Sequence, residues 1–436
     1  MPAAVIDVAE VVPFRPDPAV LTAFHIECPL AWSSAEGLTV AVAGWALAAA
    51  EPIEAIELVS GALVIQRVAL SVPRPDVVSA YPGHPRAAAC GFSATIGALG
   101  LPAECEVLVR ARLHDGRSAA LAMVTIRRAP LVAAHEPRLT ALLVTMLGRT
   151  GSTWLMRLLS LHPEVVVHPS QHYETRAGSY WLHMLKMLSE PENQPYLHEP
   201  AGHFHLTDDP RLEAWHSGPQ LQRTTSFCLD SLQRFYAEVA AAEGAEEARY
   251  FAEKYHPDHV PTLLRELWPS AREILLVRDL RDVLCSIRSI NAKRGTQDFG
   301  RNLVDSDERY IREHLAREAQ LLLDAWEQRR ERTVLVRYED LILEPVQTLE
   351  RVLSAVGLDA RPSLIERLMR LAFSDTAELA FHRTTRMPRA SVGRWRTDLD
   401  PELCAVCEEA FGDVLDQFGY ERGRASLRRA RPALAP

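Results

Sequence analysis

The sequence predicts an α/β domain, a parallel sheet flanked by helices and built around an anion-binding loop, preceded by a smaller all-β sandwich. Three observations carry this. The apolar run Leu142-Leu143-Val144-Thr145-Met146 breaks into the small, hydroxyl-rich loop Leu147-Gly148-Arg149-Thr150-Gly151-Ser152-Thr153 and resumes as a hydrophobic helix over 152–161. A second apolar strand, 273–277, ends in Arg278 and leads into another helix. The first 130 residues instead show short alternating or apolar runs (38–45, 53–58, 63–72, 106–113, 118–126) punctuated by Gly, Pro and Asp, the spacing of a β-sandwich.

At 436 residues the chain is too long for one typical core, and 47% hydrophobic content suffices for two. The expected division is a sandwich over 1–130, a linker over 131–139 beside Pro130 and Pro137, and the α/β domain over 140–425. A net charge of −9 argues against a nucleic-acid surface. No apolar run approaches the ~18 residues of a membrane span, and no basic leader opens the chain, so a cytoplasmic protein is expected. Seven cysteines, an odd number spread along the chain, make no disulfide framework. Cys404 and Cys407 read as buried helix residues, and the Arg-rich 422–431 as a solvated terminus.

The first loop has a clear physical logic. Gly148 and Gly151 let the backbone turn tightly, so that its N–H groups and the positive end of the next helix converge on an anion. Ser152 and Thr153 add hydroxyls, and Arg149 adds a charge. The nucleotide pattern GxxxxGK[ST] is not met: Met146 stands where its first glycine belongs and Ser152 where its lysine belongs. The basic residue sits ahead of the glycine instead. In the second motif, Arg278-Asp279-Leu280-Arg281-Asp282, Ser286 follows Arg278 by eight residues, about two helical turns.

Together these motifs resemble the 5′-phosphosulfate loop and the 3′-phosphate clamp of sulfotransferases that use 3′-phosphoadenosine-5′-phosphosulfate (PAPS). Residues 140–423 look most similar to the carbohydrate and tyrosyl-protein branches. The resemblance implies a P-loop-type parallel sheet, PAPS as co-substrate without a metal, and in-line sulfuryl transfer to a hydroxyl of a glycan, lipid or other small molecule. It assigns Arg149, Thr150, Gly151, Ser152, Thr153 and Trp154 to the 5′-phosphosulfate and Arg278 and Ser286 to the 3′-phosphate. Tyr338, in Arg337-Tyr338-Glu339-Asp340-Leu341, would lie against the adenine. Arg389, Gly393 and Arg394, in the 386–396 stretch, would close over the nucleotide.

An acceptor hydroxyl needs a base as the S–O bond forms. Glu174, in Glu174-Thr175-Arg176, is the favoured base, with Arg176 orienting it or touching the acceptor. His256, in Lys254-Tyr255-His256, is the rival, and Lys254 fits either scheme as the cation beside the leaving oxygen. The His-, Pro- and aromatic-rich 179–223 reads as an irregular acceptor lid, with Trp181 as a substrate contact. His203 and His205 lie two apart there, but no third ligand completes a metal site. Plainer readings stand beside these: an ordinary βα turn, a surface Glu174–Arg176 pair, a packed Tyr338.

Gly44-Trp45-Ala46, Arg74-Pro75-Asp76-Val77 and Gly91-Phe92 resemble an Ig-like module attached to bacterial carbohydrate-modifying enzymes. Glycan binding and a structural or dimerising role, hence a homodimer, are both open for it. The competing classes are a P-loop kinase or NTPase, which needs a magnesium carboxylate near the loop, and a non-catalytic glycan-binding scaffold on a relic nucleotide fold.

Overall fold

The structure, a computed structural model, describes residues 5–133, 135–190, 210–372, 383–385 and 387–423. The chain divides into two compact units. One comprises Met1–Glu136, Ser179–Ser231 and Thr262–Leu267; the other comprises Pro137–Gly178, Leu232–Pro261 and Trp268–Pro436.

Among the described residues the first unit holds nine strands: β1 (Val5–Pro13), β2 (Leu21–Cys28), β3 (Ser33–Glu36), β4 (Thr39–Ala48), β5 (Ile53–Ser60), β6 (Leu63–Val68), β7 (Gly91–Gly97), β8 (Glu104–Leu113) and β9 (Ser118–Arg128). They form two antiparallel sheets, of order β3-β1-β9-β8-β5-β6 and β2-β4-β7. Alternation along the strands sends Ile6, Val42, Leu58, Phe92, Val109 and Val124 into one shared core. Helices Ala177–Ser189 and Leu221–Ala242 start or end outside this unit but run into it. The described parts of 179–223 are therefore helical rather than irregular, because Leu182, Leu185, Leu221 and Cys228 recur on buried faces. The expected lid residues 191–209, including His203 and His205, lie outside the described residues.

The second unit is built on five parallel strands, β10 (Thr140–Met146), β11 (Val165–Val166), β12 (Tyr250–Tyr255), β13 (Arg272–Val277) and β14 (Thr333–Arg337), in the order β11-β12-β10-β13-β14. The buried runs of β10 and β13 are mostly apolar, as both faces of a parallel sheet require, whereas β12 buries the charged pair Glu253 and Lys254. One apolar layer, with Leu155, Leu158, Leu349 and Leu353, covers one set of side chains; another, with Leu284, Ile311, Leu322 and Phe411, gathers the rest. Inside the sheet Thr145 donates to Glu273 at 2.6 Å, and Arg329 pairs with the same carboxylate at 3.1 Å, tying β10 to β13. The strand expected over 164–168 is only Val165–Val166, at the sheet edge. The charged helix expected over 307–332 contains a π-helical turn, Tyr310–Leu315.

From β10 the chain goes first to one side of the sheet, to β11 and β12, and then to the other, to β13 and β14. The carboxyl end of β10 is therefore a topological switch point, where open α/β sheets leave a crevice. The register aligns the strand ends there, with Val144 beside Lys254, Met146 beside Leu276 and Val277 beside Arg337.

Candidate active site

Four strand ends deliver the site. The loop after β10 turns through two left-handed residues, Arg149 at φ 70° and Gly151 at φ 91°. A side chain at Gly151 would collide with the Tyr338 ring, so the glycine is needed for both backbone shape and packing. Gly151 caps helix Ser152–Ser160, whose buried Leu155, Met156, Leu158 and Leu159 fix the loop on the sheet. Arg278 follows β13 and Tyr338 follows β14. Ser286 stands on helix Leu280–Arg294, which Asp279 caps by accepting from the Arg281 amide.

These elements enclose a cleft with about 870 Å³ of empty space, partly continuous with solvent, lined by the Arg149–Trp154 loop apart from Thr150, by Arg278, Ser286, Tyr338 and Ile342, and by Arg383, Thr384, Thr385, Pro388 and Ser391. The two motifs recognised in the sequence meet here: Arg149 Nε donates to Ser286 Oγ at 3.1 Å, and Arg278 Nη1 donates to the Arg149 carbonyl at 2.9 Å. Arg278 Nη2 donates to the Ser391 carbonyl at 2.7 Å, its guanidinium lies 4.5 Å from the centre of the Tyr338 ring, and the Tyr338 hydroxyl meets Ser391 Oγ at 2.8 Å. Arg278 Nε is buried without a hydrogen-bond partner among the described residues.

Among the described residues, no carboxylate lines this cleft. Burial, then the charges of Arg278, Arg294 and Arg394, push the Arg149 pKa down to about 10. Such a concentration of cations around the buried Arg278 is stabilised by an anion, and the Arg278 Nε–H is a donor ready for one. The donor set thus fits a nucleotide with more than one phosphate-type group. Asp279, the acidic residue that directly follows Arg278, is occupied by the Arg281 amide and guanidinium at 2.8–3.0 Å.

Some expected residues are placed elsewhere. Thr150 is fully buried and turns its hydroxyl to the Leu147 carbonyl at 2.8 Å, so it shapes the loop from inside. Arg389 is exposed on a short 3-10 turn, and Arg394 pairs with Asp398 at 2.5 Å and reaches Ser289 and Thr384; neither lines the cleft. Gly393, at φ 70°, gives its amide to Asp282 at 2.6 Å, and the Trp395 amide joins it at 2.9 Å. The polar lining on that side comes instead from Arg383, Thr384, Thr385 and Ser391. Sequence reasoning missed these because no local motif marks them; the basic-hydroxyl run Arg383-Thr384-Thr385 was the available signal.

Next to the loop, Lys254 Nζ contacts Thr153 Oγ1 at 3.4 Å, the His172 carbonyl at 3.0 Å and Glu174 Oε1 at 2.6 Å. Arg176 holds the other Glu174 oxygen at 2.8 Å. Lys254 is 1% exposed and Glu174 45%, so the carboxylate joins a buried cation to solvent. His172 and Tyr173 adopt left-handed φ of 57° and 64°, costly for residues with side chains, and this turn aims the His172 carbonyl and Glu174 at Lys254.

His256 is elsewhere: it pairs closely with Glu318 and lines a second cavity with Gly148, Phe299, Tyr310 and His314. Burial pushes the Glu318 carboxyl up, but its bond to His256 and the charges of His256, His314 and Arg317 outweigh this and leave it below the usual range. Trp181 belongs to the first unit, where its ring meets Phe227 edge-on at 5.7 Å.

A parallel α/β unit with a cationic cleft at its switch point is the class of protein these features define. The chain belongs to the sulfotransferase family, whose profile matches residues 142–362, about half of the chain. It is 30% identical over 113 residues to nodulation protein NoeE of Sinorhizobium fredii, covering 25% of this chain and 26% of NoeE. It is 32% identical over 90 residues to mouse carbohydrate sulfotransferase 2, covering 20% of this chain and 17% of the relative. The matches thus span about a quarter or less of these relatives. Similar solved structures include the sulfotransferase domain from the curacin biosynthetic pathway, at 20% identity and TM-score 0.39, covering 66% of this chain and all of that domain. Mouse sulfotransferase SULT7A1, solved with 3′-phosphoadenosine 5′-phosphate (PAP), gives 12% identity and TM-score 0.37, covering 68% and 91% of the two chains.

Proposed function

We propose that this protein transfers the sulfuryl group of PAPS to an acceptor hydroxyl. The observation that carries the reading is the Arg149–Ser286–Arg278 cluster, which joins the ends of β10 and β13 in a cleft with no carboxylate among the described residues. When bound, PAPS supplies the sulfuryl group and departs as PAP. The Arg149 loop and the N-terminus of helix Ser152–Ser160 hold the 5′ side, and Arg278 and Ser286 hold the 3′-phosphate. Tyr338, flat against Gly151 and Arg278, bears on the adenine. Lys254 keeps a positive charge beside Thr153, where a leaving oxygen gains negative charge. Glu174 takes the acceptor's proton; its contact with Lys254 puts a base next to that position while its exposure leaves it open to an acceptor.

A second reading rests on the His256–Glu318 pair. A carboxylate-oriented imidazole in a cavity that shares Gly148 with the anion loop is a plausible base for an acceptor seated there. The acceptor class extends to a glycan, lipid or other small molecule, and the carbohydrate sulfotransferase 2 match favours a glycan.

Residues 1–130 form an Ig-like accessory module in this reading, 131–139 the linker and 140–425 the transferase domain. Exposed Trp32 and Leu30 give that module a surface for a glycan or a second copy of the chain. All seven cysteines are unpaired, which suits the reducing cytoplasm. No helix among the described residues is long and apolar enough to cross a membrane.

The test is incubation with PAPS labelled at sulfur over a panel of sugars, lipids and phenols. Label in an acceptor with matching PAP release supports the proposal. Nucleotide binding with no label transferred and no PAP released would favour a non-catalytic binding scaffold.

A further inference from the structure

Glu253 is a fully buried carboxylate with no ion-pair partner among the described residues. Removing such a group from water is expensive unless donors replace the water. Here the donors are the Tyr236 hydroxyl at 2.6 Å, the Tyr255 hydroxyl in a close contact, and the Gly178 amide at 3.1 Å to each oxygen. All arrive as donors; burial, the larger effect, pushes the carboxyl's pKa above the usual carboxylate range, while these hydrogen bonds pull it down. Tyr236 is itself fixed by stacking on Phe251 at 4.5 Å, and a side chain at Gly178 would collide with the Tyr255 hydroxyl.

Glu253 and Lys254 are neighbours on β12, so their side chains leave opposite faces of the strand. Lys254 grips one end of segment 172–178 through the His172 carbonyl and Glu174. Glu253 grips the other end through Gly178. Two adjacent residues of one rigid strand thus clamp both ends of the segment that carries Glu174 and Arg176.

We propose that Glu253, with Tyr236 and Tyr255, is a positioning residue that sets the base segment 172–178 against Lys254, an inference that rests on the assignment of Glu174 above. In Glu253→Gln the amide NH2 must face one of the donors, so the Gly178 amide or a tyrosine loses its acceptor. Tyr255→Phe removes one donor while leaving the carboxylate, and serves if the Gln variant does not fold.

The experiment uses the full chain, PAPS alone with water as acceptor, and two readouts: PAP release, and hydrogen exchange of the peptide covering 174–178. The expected result in either folded variant is PAP release lowered at least about tenfold in kcat, with KM for PAPS and Kd for PAP within about twofold of wild type, and exchange in 174–178 at least about tenfold faster. Unchanged exchange, unchanged kcat in a wild type that does turn over, or PAP affinity falling in parallel with kcat would each overturn the proposal. A wild-type protein that releases no PAP to water leaves sulfuryl transfer to be judged by the acceptor panel, while the exchange data would still decide whether Glu253 clamps the segment.

Discussion

Glu174→Gln separates a catalytic carboxylate from a decorative ion pair by magnitude alone. Glu174 bridges Lys254 at 2.6 Å and Arg176 at 2.8 Å, and Gln preserves its size while its amide can accept from only one of the two cations. The exposed Glu174–Arg176 pair is worth about 0–1 kcal/mol, at most about a fivefold effect on any rate it touches indirectly. Loss of a general base costs about 10²–10⁴-fold, or about 2.7–5.4 kcal/mol at 1.36 kcal/mol per decade. Because Glu174 does not line the nucleotide cleft, Kd for PAP should stay within about twofold. The assay is steady-state PAP release with an acceptor found in the labelled-PAPS panel, alongside calorimetry with PAP. His256→Asn should cost less than about tenfold, since that ring faces Glu318 in another cavity. The opposite order, with His256→Asn nearly inactive and Glu174→Gln close to wild type, would refute the assignment.

Gly151→Ala places a methyl against the Tyr338 ring at a φ of 91°, so it should lower the melting temperature and weaken PAP binding at least about tenfold; wild-type affinity would show that the loop tolerates another shape. Asp282→Asn leaves the Gly393 or Trp395 amide without its acceptor, and should raise Kd for PAP about tenfold, near 1.5 kcal/mol for a charged hydrogen bond, with faster hydrogen exchange over 388–395. Unchanged exchange there would mean that Asp282 does not hold the closing loop. The depressed Glu318 pKa supplies stability that is present above its unfolded value near 4.5 and is lost as pH falls through the lower folded value. Melting curves should therefore show Glu318→Gln destabilised at pH 7, with the gap to wild type closing below about pH 4; a gap independent of pH would contradict the linkage.

What the sequence showed plainly was local. The break from Val144 to Gly151 and the Arg278-to-Ser286 spacing each lie within one strand-loop-helix unit, and glycine and apolar patterning mark such units directly. The partnership of Arg149 with Ser286 is a consequence of parallel register between β10 and β13, which no short window contains. Ser391 and Arg383 reach the cleft only through tertiary packing, whereas Arg394, a better motif match, is drawn off by Asp398 four residues along. In the first unit the runs that became β4, β5, β6, β8 and β9 were visible. β1 was not, because a register shift between Val8 and Glu10 breaks its alternation, and β2 is largely half-exposed. The sequence expects the strand to end at Lys254, with His256 two residues on as the rival base. β12 ends at Tyr255, so His256 is already outside the ladder and turns to Glu318.

The central claim, that the Arg149–Ser286–Arg278 cluster reads a 3′-phosphorylated adenine nucleotide, is tested most directly by calorimetry with PAP and with AMP on the wild type and on Arg278→Ala. The account predicts that the wild type binds PAP about 10- to 150-fold more tightly than AMP, the equivalent of about 1.5–3 kcal/mol for charged hydrogen bonds to the extra phosphate, and that Arg278→Ala removes most of that preference. Equal affinities for PAP and AMP in the wild type would contradict it.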